Sequence, residues 1–171
     1  MKKMLILGAG TAGTMMLNKL HNALDDNEWQ ITIVDQHETH YYQPGFLFIP
    51  FGIYSEQDVL KPKKEFIPRG VDFVVDEIVK LDPAERRVQT RLGTYDYDWL
   101  IIATGCDIYP TEIDGMMDGW HKDIFDFYTL EGALALKQKL KYFSSGRVVL
   151  NIAEVPYKCP IAPLEFVFMA D

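Results

Sequence analysis

The feature that most restricts this chain is the run Met4-Leu5-Ile6-Leu7 leading without a break into Gly8-Ala9-Gly10-Thr11-Ala12-Gly13, a G-x-G-x-x-G turn. A short apolar run of this kind reads as a buried strand. The three glycines then read as a tight turn at Gly8, a backbone at Gly10 that lets a pyrophosphate approach, and a close helix–sheet contact at Gly13. The spacing predicts a helix beginning at Gly13, with Ala12, Met16, Leu20 and Ala23 on its apolar side and Asn18, Lys19 and Asn22 between them. Its unpaired first N–H groups and its dipole would suit the phosphates of a dinucleotide.

A glycine triplet alone is weak evidence, and its context strengthens it. A second apolar run, Ile31-Thr32-Ile33-Val34, ends in Asp35, about twenty residues beyond the last glycine, where a carboxylate can accept from an adenosine ribose. The other apolar segments extend the pattern. Val71–Val75, Glu77–Leu81 and Arg87–Thr90 read as short strands of a small inserted antiparallel sheet. Tyr97-Asp98-Trp99-Leu100-Ile101-Ile102-Ala103-Thr104-Gly105 reads as a strand buried on both faces of a parallel sheet, closed by a small-residue turn. Leu130, Ala133, Leu134, Leu136, Lys137 and Leu140 predict an amphipathic helix that ends by Ser144-Ser145-Gly146, and Arg147–Ile152 predicts a further parallel strand. Ser55-Glu56-Gln57-Asp58 predicts a capped helix start cut short by Pro62.

Composition narrows the classes of partner. With 48% apolar residues a packed core is expected, while a net charge of -8 and a pI near 5.0 exclude a nucleic acid or anionic membrane recruited by charge alone. The first apolar run is too short for a signal peptide. The aromatic stretch Phe46–Phe51, broken by Pro50 and Gly52, falls short of a membrane span and reads as a loop packed on a ligand or core. His37 and His40 are three apart rather than four, so no zincin-type metal site is expected and both read as solvated or ribose-side groups. His21 and His121 read as surface residues. Two cysteines, Cys106 and Cys159, are too few for a disulfide scaffold.

After Ile152, where a second glycine-rich turn should follow the strand, the sequence is instead Val155-Pro156-Tyr157-Lys158-Cys159-Pro160-Ile161-Ala162-Pro163-Leu164-Glu165. Prolines, Tyr157 and Lys158 would crowd out a pyrophosphate, so nicotinamide use is expected to be lost. Cys159, beside Lys158 and just ahead of a predicted helix with Pro163 in its first turn, is placed for thiolate stabilisation by charge and dipole. Cys106 reads as a buried structural thiol.

Together, G-A-G-T-A-G with Asp35, the strand Y-D-W-L-I-I-A-T-G, Tyr42-Gln43-Pro44, and Pro156-Tyr157-Lys158-Cys159-Pro160 with Pro163-Leu164-Glu165 resemble the two-dinucleotide-fold flavoproteins, and within them the sulfide:quinone oxidoreductase family. The resemblance runs over the whole chain and covers the N-terminal portion of such a protein. It implies an α/β fold: a Rossmann-like FAD-binding domain over residues 1–110, with a parallel sheet and a small antiparallel insert, then over 111–171 the beginning of a degenerate, truncated second dinucleotide domain. It implies FAD as cofactor, sulfide as substrate and a quinone as acceptor. It implies FAD contacts at Gly8, Gly10, Thr11, Ala12, Gly13, Asp35, Gln36, Gln43, Pro44, Ile78, Thr104 and Gly105. Cys159 matches the family's essential cysteine, Glu165 a proposed proton acceptor, and the redox partner of Cys159 would lie beyond Asp171. The family's further cysteine before the Leu130–Leu140 helix is missing, its place being taken by Phe125-Asp126-Phe127-Tyr128. Cytoplasmic location, or peripheral association with the cytoplasmic membrane through segments beyond Asp171, and homo-oligomerisation are also compatible with the resemblance. Its alternatives are an NADH:quinone dehydrogenase-like flavoprotein and a catalytically inactive truncated dinucleotide-binding module.

Overall fold

The computed structural model describes residues 1–171. The chain forms two compact units, Met1–Tyr41 with Leu60–Asp107, and Tyr42–Val59 with Ile108–Asp171. The stretch Tyr42–Val59, early in the sequence, therefore packs with the C-terminal residues.

The first unit is built on a four-stranded parallel sheet. In chain order its elements are β1 (Lys2–Leu7), α1 (Thr11–His21), β2 (Trp29–Asp35), β3 (Thr39–Tyr41), β4 (Leu60–Pro62), β5 (Asp72–Val75), β6 (Ile78–Asp82), β7 (Arg87–Thr90), β8 (Thr94–Asp96) and β9 (Trp99–Ile102). The sheet runs β5-β2-β1-β9, with Leu5 aligned to Thr32 on one side and Leu100 on the other. Successive side chains of a strand point to opposite faces, and β1 uses both. Met4 and Ile6 join a core with Ala9, Leu17 of α1, Ile31 and Ile33, while Leu5 and Leu7 join a second core with Val34 and Val88 of β7. A helix therefore covers one face, and the antiparallel sheet β6-β7-β8 covers the other.

Several expectations shift. Helix α1 starts at Thr11 with Gly10 as its N-cap, two residues ahead of Gly13. Its buried residues are Gly13, Thr14 and Leu17, while Ala12 and Met16 are exposed, because close approach at Gly13 fixes which side of the helix meets the sheet. Residues 72–75 pair with β2 in the parallel sheet and not with the antiparallel insert, whose third strand is β8. Strand β9 has only β1 as neighbour, so Leu100 and Ile101 pack while Trp99 and Ile102 are 62% and 61% exposed. The start at Ser55 is a single 3₁₀ turn, Glu56–Val59, in which the Ser55 N–H and hydroxyl both donate to Asp58 Oδ2.

The second unit contains α2 (Leu130–Lys141) and α3 (Ala162–Ala170) with short 3₁₀ turns, one of them Gln43–Phe48. Thr129 caps α2 by accepting the Gly132 N–H at 3.0 Å, and buried Asp126 accepts the N–H groups of Tyr128 and Thr129. Leu47, Phe127, Leu136, Ala162 and Phe166 form the core, with the Phe127 and Phe166 rings stacked 5.0 Å apart. The aromatic stretch thus supplies core residues. Residues 147–152 form no strand: this unit offers no neighbouring strand for their N–H and C=O groups to pair with, and Val149 is exposed. No helix is long and apolar enough to cross a membrane.

Candidate functional site

In the first unit the glycine turn has the shape a phosphate requires. Gly8 adopts φ +93°, which favours glycine, and its N–H donates to the Val34 carbonyl. A Cβ there would run into the Ala103 carbonyl and lie 2.9 Å from Thr104 Cα, so the turn after β1 is pressed against the turn after β9. Gly13 is equally confined, since a Cβ would collide with the Gly8 carbonyl. Gly10 differs: a Cβ there meets nothing within 4 Å. Helix α1 has no side-chain cap and no acid in its first turn. Its N-terminal N–H groups, with exposed Thr11 and Ala12, are left to a ligand, and the helix dipole favours a negative one. These residues fit a dinucleotide cofactor.

Asp35 ends β2 beside this turn. Its Oδ2 accepts from the Ala9 N–H at 2.7 Å, and its Oδ1 from the His37 N–H at 2.9 Å. Lys63 Nζ lies 2.5 Å from the same Oδ1. Burial pushes the Asp35 carboxyl up, but the Lys63 hydrogen bond and the two N–H donors outweigh it and hold the group below the usual carboxylate range. His40 lies close by, its ring tilted against Phe66 at 4.9 Å; burial, then the Lys63 charge, lowers its pKa. Its Nδ1 is buried without a partner.

The structure therefore brings together Gly8, Gly10, Thr11, Ala12, Gly13, Asp35 and Thr104, followed in sequence by Gln36 and Gly105, both exposed. Ile78 opens β6 and packs against the core of Leu5, Leu7 and Val34. Cys106 is exposed and not buried, because it follows Thr104 and Gly105 where the chain has left the sheet. His21 and His121 are half-buried rather than superficial: His21 faces Asp26, and His121 Nε2 reaches Asp126 Oδ2 at 3.4 Å.

In the second unit Gln43 and Pro44 open a 3₁₀ turn, and Lys158 Nζ donates to Gln43 Oε1. The lysine expected to serve the neighbouring thiol is thus engaged by an amide. Cys159 is exposed with φ +53°, a left-handed backbone uncommon for a side chain of this kind. Its carbonyl accepts the Ala162 N–H at 3.1 Å, which turns the chain into α3 two residues before the N-cap, Ile161. The Tyr157 hydroxyl braces the bend by donating to the Pro160 carbonyl at 3.2 Å. Glu165 is exposed in the first turn of α3. Tyr128 has a buried hydroxyl with no partner, and burial, then the charges of Cys159 and Tyr157, push its phenol up. The residues missed in sequence are Lys63 and Tyr128, since neither lies in a motif.

The family model described as pyridine nucleotide-disulphide oxidoreductase matches residues 2–150. The chain belongs to that family. Members of the pyridine nucleotide-disulphide oxidoreductase family are oxidoreductases, and their cofactor is FAD. The chain is 30% identical over 172 residues to a mitochondrial sulfide:quinone oxidoreductase of Dictyostelium discoideum, covering 99% of this chain and 38% of that protein. It is 36% identical over 118 residues to a type II NADH:quinone oxidoreductase of Staphylococcus aureus, covering 68% of this chain and 29% of that protein. The chain thus spans well under half the length of either relative. The fold is shared with the X-ray structure of the sulfide:quinone oxidoreductase of Aquifex aeolicus, at a TM-score of 0.67 and 24% identity, over 82% of this chain and 32% of that one.

Proposed function

We propose that this chain carries the FAD-binding front and the redox cysteine of an enzyme that oxidises sulfide and delivers the electrons to a quinone. In this reading residues 1–110 hold FAD, residues 111–171 begin a second dinucleotide fold that has lost its nucleotide, and the protein works in the cytoplasm or loosely attached to the cytoplasmic membrane. The observation that carries the reading is Cys159: an exposed thiol on a left-handed backbone, braced by Tyr157 and leading into α3. Backbone outliers of this kind persist where the surrounding structure over-determines them, and they cluster at functional sites. The relative matched over 99% of the chain, a span that takes in this bend, is a sulfide:quinone oxidoreductase.

FAD, when bound, supplies a two-electron acceptor. The glycine turn and α1 hold its pyrophosphate, Asp35 its ribose, and Gln36, Ile78, Thr104 and Gly105 line the approach. Gln43, through Lys158, steadies the loop that bears Cys159. Cys159 enters the chemistry as one sulfur of a disulfide or polysulfide link; hydrosulfide attacks that link, one sulfur keeps the added atom as a persulfide, and the other leaves as thiolate. Glu165, one turn into α3, is the proton acceptor.

The second reading, an NADH:quinone dehydrogenase, is favoured by the 36% identity to the type II enzyme. Prolines at 156, 160 and 163 argue against it, since they occupy the stretch where a second glycine turn would hold NADH. An anaerobic titration that follows flavin absorbance distinguishes the two. In a full-length form that supplies the partner sulfur, sulfide is expected to bleach the flavin, and Cys159→Ser to abolish the bleaching while leaving FAD bound. Bleaching by NADH and not by sulfide would transfer the assignment to the dehydrogenase, and bleaching by neither would leave a cofactor-binding module.

A further inference from the structure

Lys63 is the only cation among the buried polar residues. Its side chain and that of Asp35 are 6% and 12% exposed, with Nζ and Oδ1 2.5 Å apart. Taking two charges out of water is costly, and one mutual attraction does not by itself repay it; further hydrogen bonds to the remaining lone pairs and protons are needed. A carboxylate has about four acceptor positions. In Asp35, Oδ1 is taken by the His37 N–H and by Lys63, and Oδ2 by the Ala9 N–H, so about one position remains, on Oδ2. An ammonium has three N–H donors, and Asp35 Oδ1 is the one acceptor that Lys63 Nζ reaches. His40 Nδ1, buried and unpartnered next to the pair, is a further unmet polar group at the same spot.

The pair thus presents one free acceptor beside unspent donors, next to the Ala9 N–H in the middle of the glycine turn. A vicinal diol is the complement of that arrangement: one hydroxyl donates and its neighbour accepts. Asp35, already saturated on Oδ1, has no room for both hydroxyls of a ribose. We propose that Lys63 is a second ribose-binding residue, donating to one adenosine hydroxyl while Asp35 accepts from the other. This rests on FAD being the ligand of the glycine turn.

The test uses flavin-free protein and calorimetry with ADP, 2′-deoxy-ADP and 3′-deoxy-ADP. Wild-type protein should bind each deoxy nucleotide about tenfold more weakly than ADP, as expected for hydrogen bonds to charged groups. In Lys63→Met one of the two penalties should vanish and the other remain. Lys63→Met strands the Asp35 charge; if that chain does not fold, the double variant Lys63→Met with Asp35→Asn, which buries no lone charge and keeps an acceptor oxygen at position 35, should lose the penalty that Lys63 causes and keep a smaller one for the other hydroxyl. A single penalty or none in the wild type overturns the inference, as does survival of both in Lys63→Met or of both in the double variant. ADP bound without regard to its hydroxyls removes Lys63 from the ribose and leaves FAD binding standing; no ADP binding to the wild type removes both.

Discussion

Substituting Gly13 by alanine gives an effect whose sign separates two accounts of this residue. Gly13 lies inside α1, where a glycine is worth about 1 kcal/mol less than alanine by helix propensity, so if the residue were merely helical the change would stabilise the protein. The structure predicts the reverse. The added Cβ would lie 2.9 Å from the Gly8 carbonyl carbon, closer still to its oxygen, and 3.6 Å from Ala103 Cβ. The obstacle is backbone, fixed by the Gly8 N–H bond to Val34, and cannot swing aside as a side chain would. Relieving it means lifting α1 from the sheet, an overpacking cost of about 3 kcal/mol. Less the propensity gain, the net loss is about 2 kcal/mol, which in a chain of this length lowers Tm by roughly 4–8 °C. Gly10→Ala is the control: its φ of −75° accepts a side chain and a Cβ touches nothing, so stability should change by at most about 1 kcal/mol while FAD retention falls, the methyl standing where phosphate approaches. Thermal unfolding of the flavin-free proteins by circular dichroism, with bound flavin measured by absorbance after gel filtration, reads both. A raised Tm for Gly13→Ala would refute the close-contact argument, and full flavin retention by Gly10→Ala would refute the open cradle.

Asp35→Ala should weaken FAD binding by about 1–3 kcal/mol, the value of a charge-assisted hydrogen bond; fluorescence titration of FAD checks it, and wild-type affinity would contradict the role. Because folding holds the Asp35 carboxyl below its unfolded value of about 3.9, the stability it contributes is present above that pH and is lost as pH falls through the lower folded value. The stability gap between wild type and Asp35→Asn, measured in urea, should therefore be wide at pH 7 and narrow progressively below pH 4. Thr129→Ala removes the acceptor for the Gly132 N–H and should cost about 1 kcal/mol in the same assay.

The glycine turn was readable because each of its residues answers a local steric demand, and so was the capped helix after Thr129, whose apolar period and stop signals are local as well. What resisted reading is decided by partners far away in the chain. Val71–Val75 has the same composition whether it joins a parallel or an antiparallel sheet, and only its register against Thr32–Asp35 places it in the first. Arg147–Ile152 has the look of a strand but no neighbour to complete it. Lys63 is indistinguishable in sequence from Lys61 or Lys64, and its importance comes from a carboxylate many positions upstream. At Cys159 the sequence offers a cysteine beside a lysine ahead of a helix, and the structure leaves that thiol exposed, whereas the engagement of Lys158 by Gln43 could not be read, the two residues meeting only after the second unit has formed.

The contact between Gly8 and the Ala103 backbone has a consequence for comparing or recombining relatives of this chain. The two signature turns share one interface: Gly8 is kept bare by Ala103 and Thr104, and Gly13 in turn by the Gly8 carbonyl and the Ala103 methyl. Bulk at one position can be tolerated only if the others recede, so these sites should drift together across a lineage. A chimera that imports either turn by itself would arrive mismatched, and the unit safe to graft is the pair.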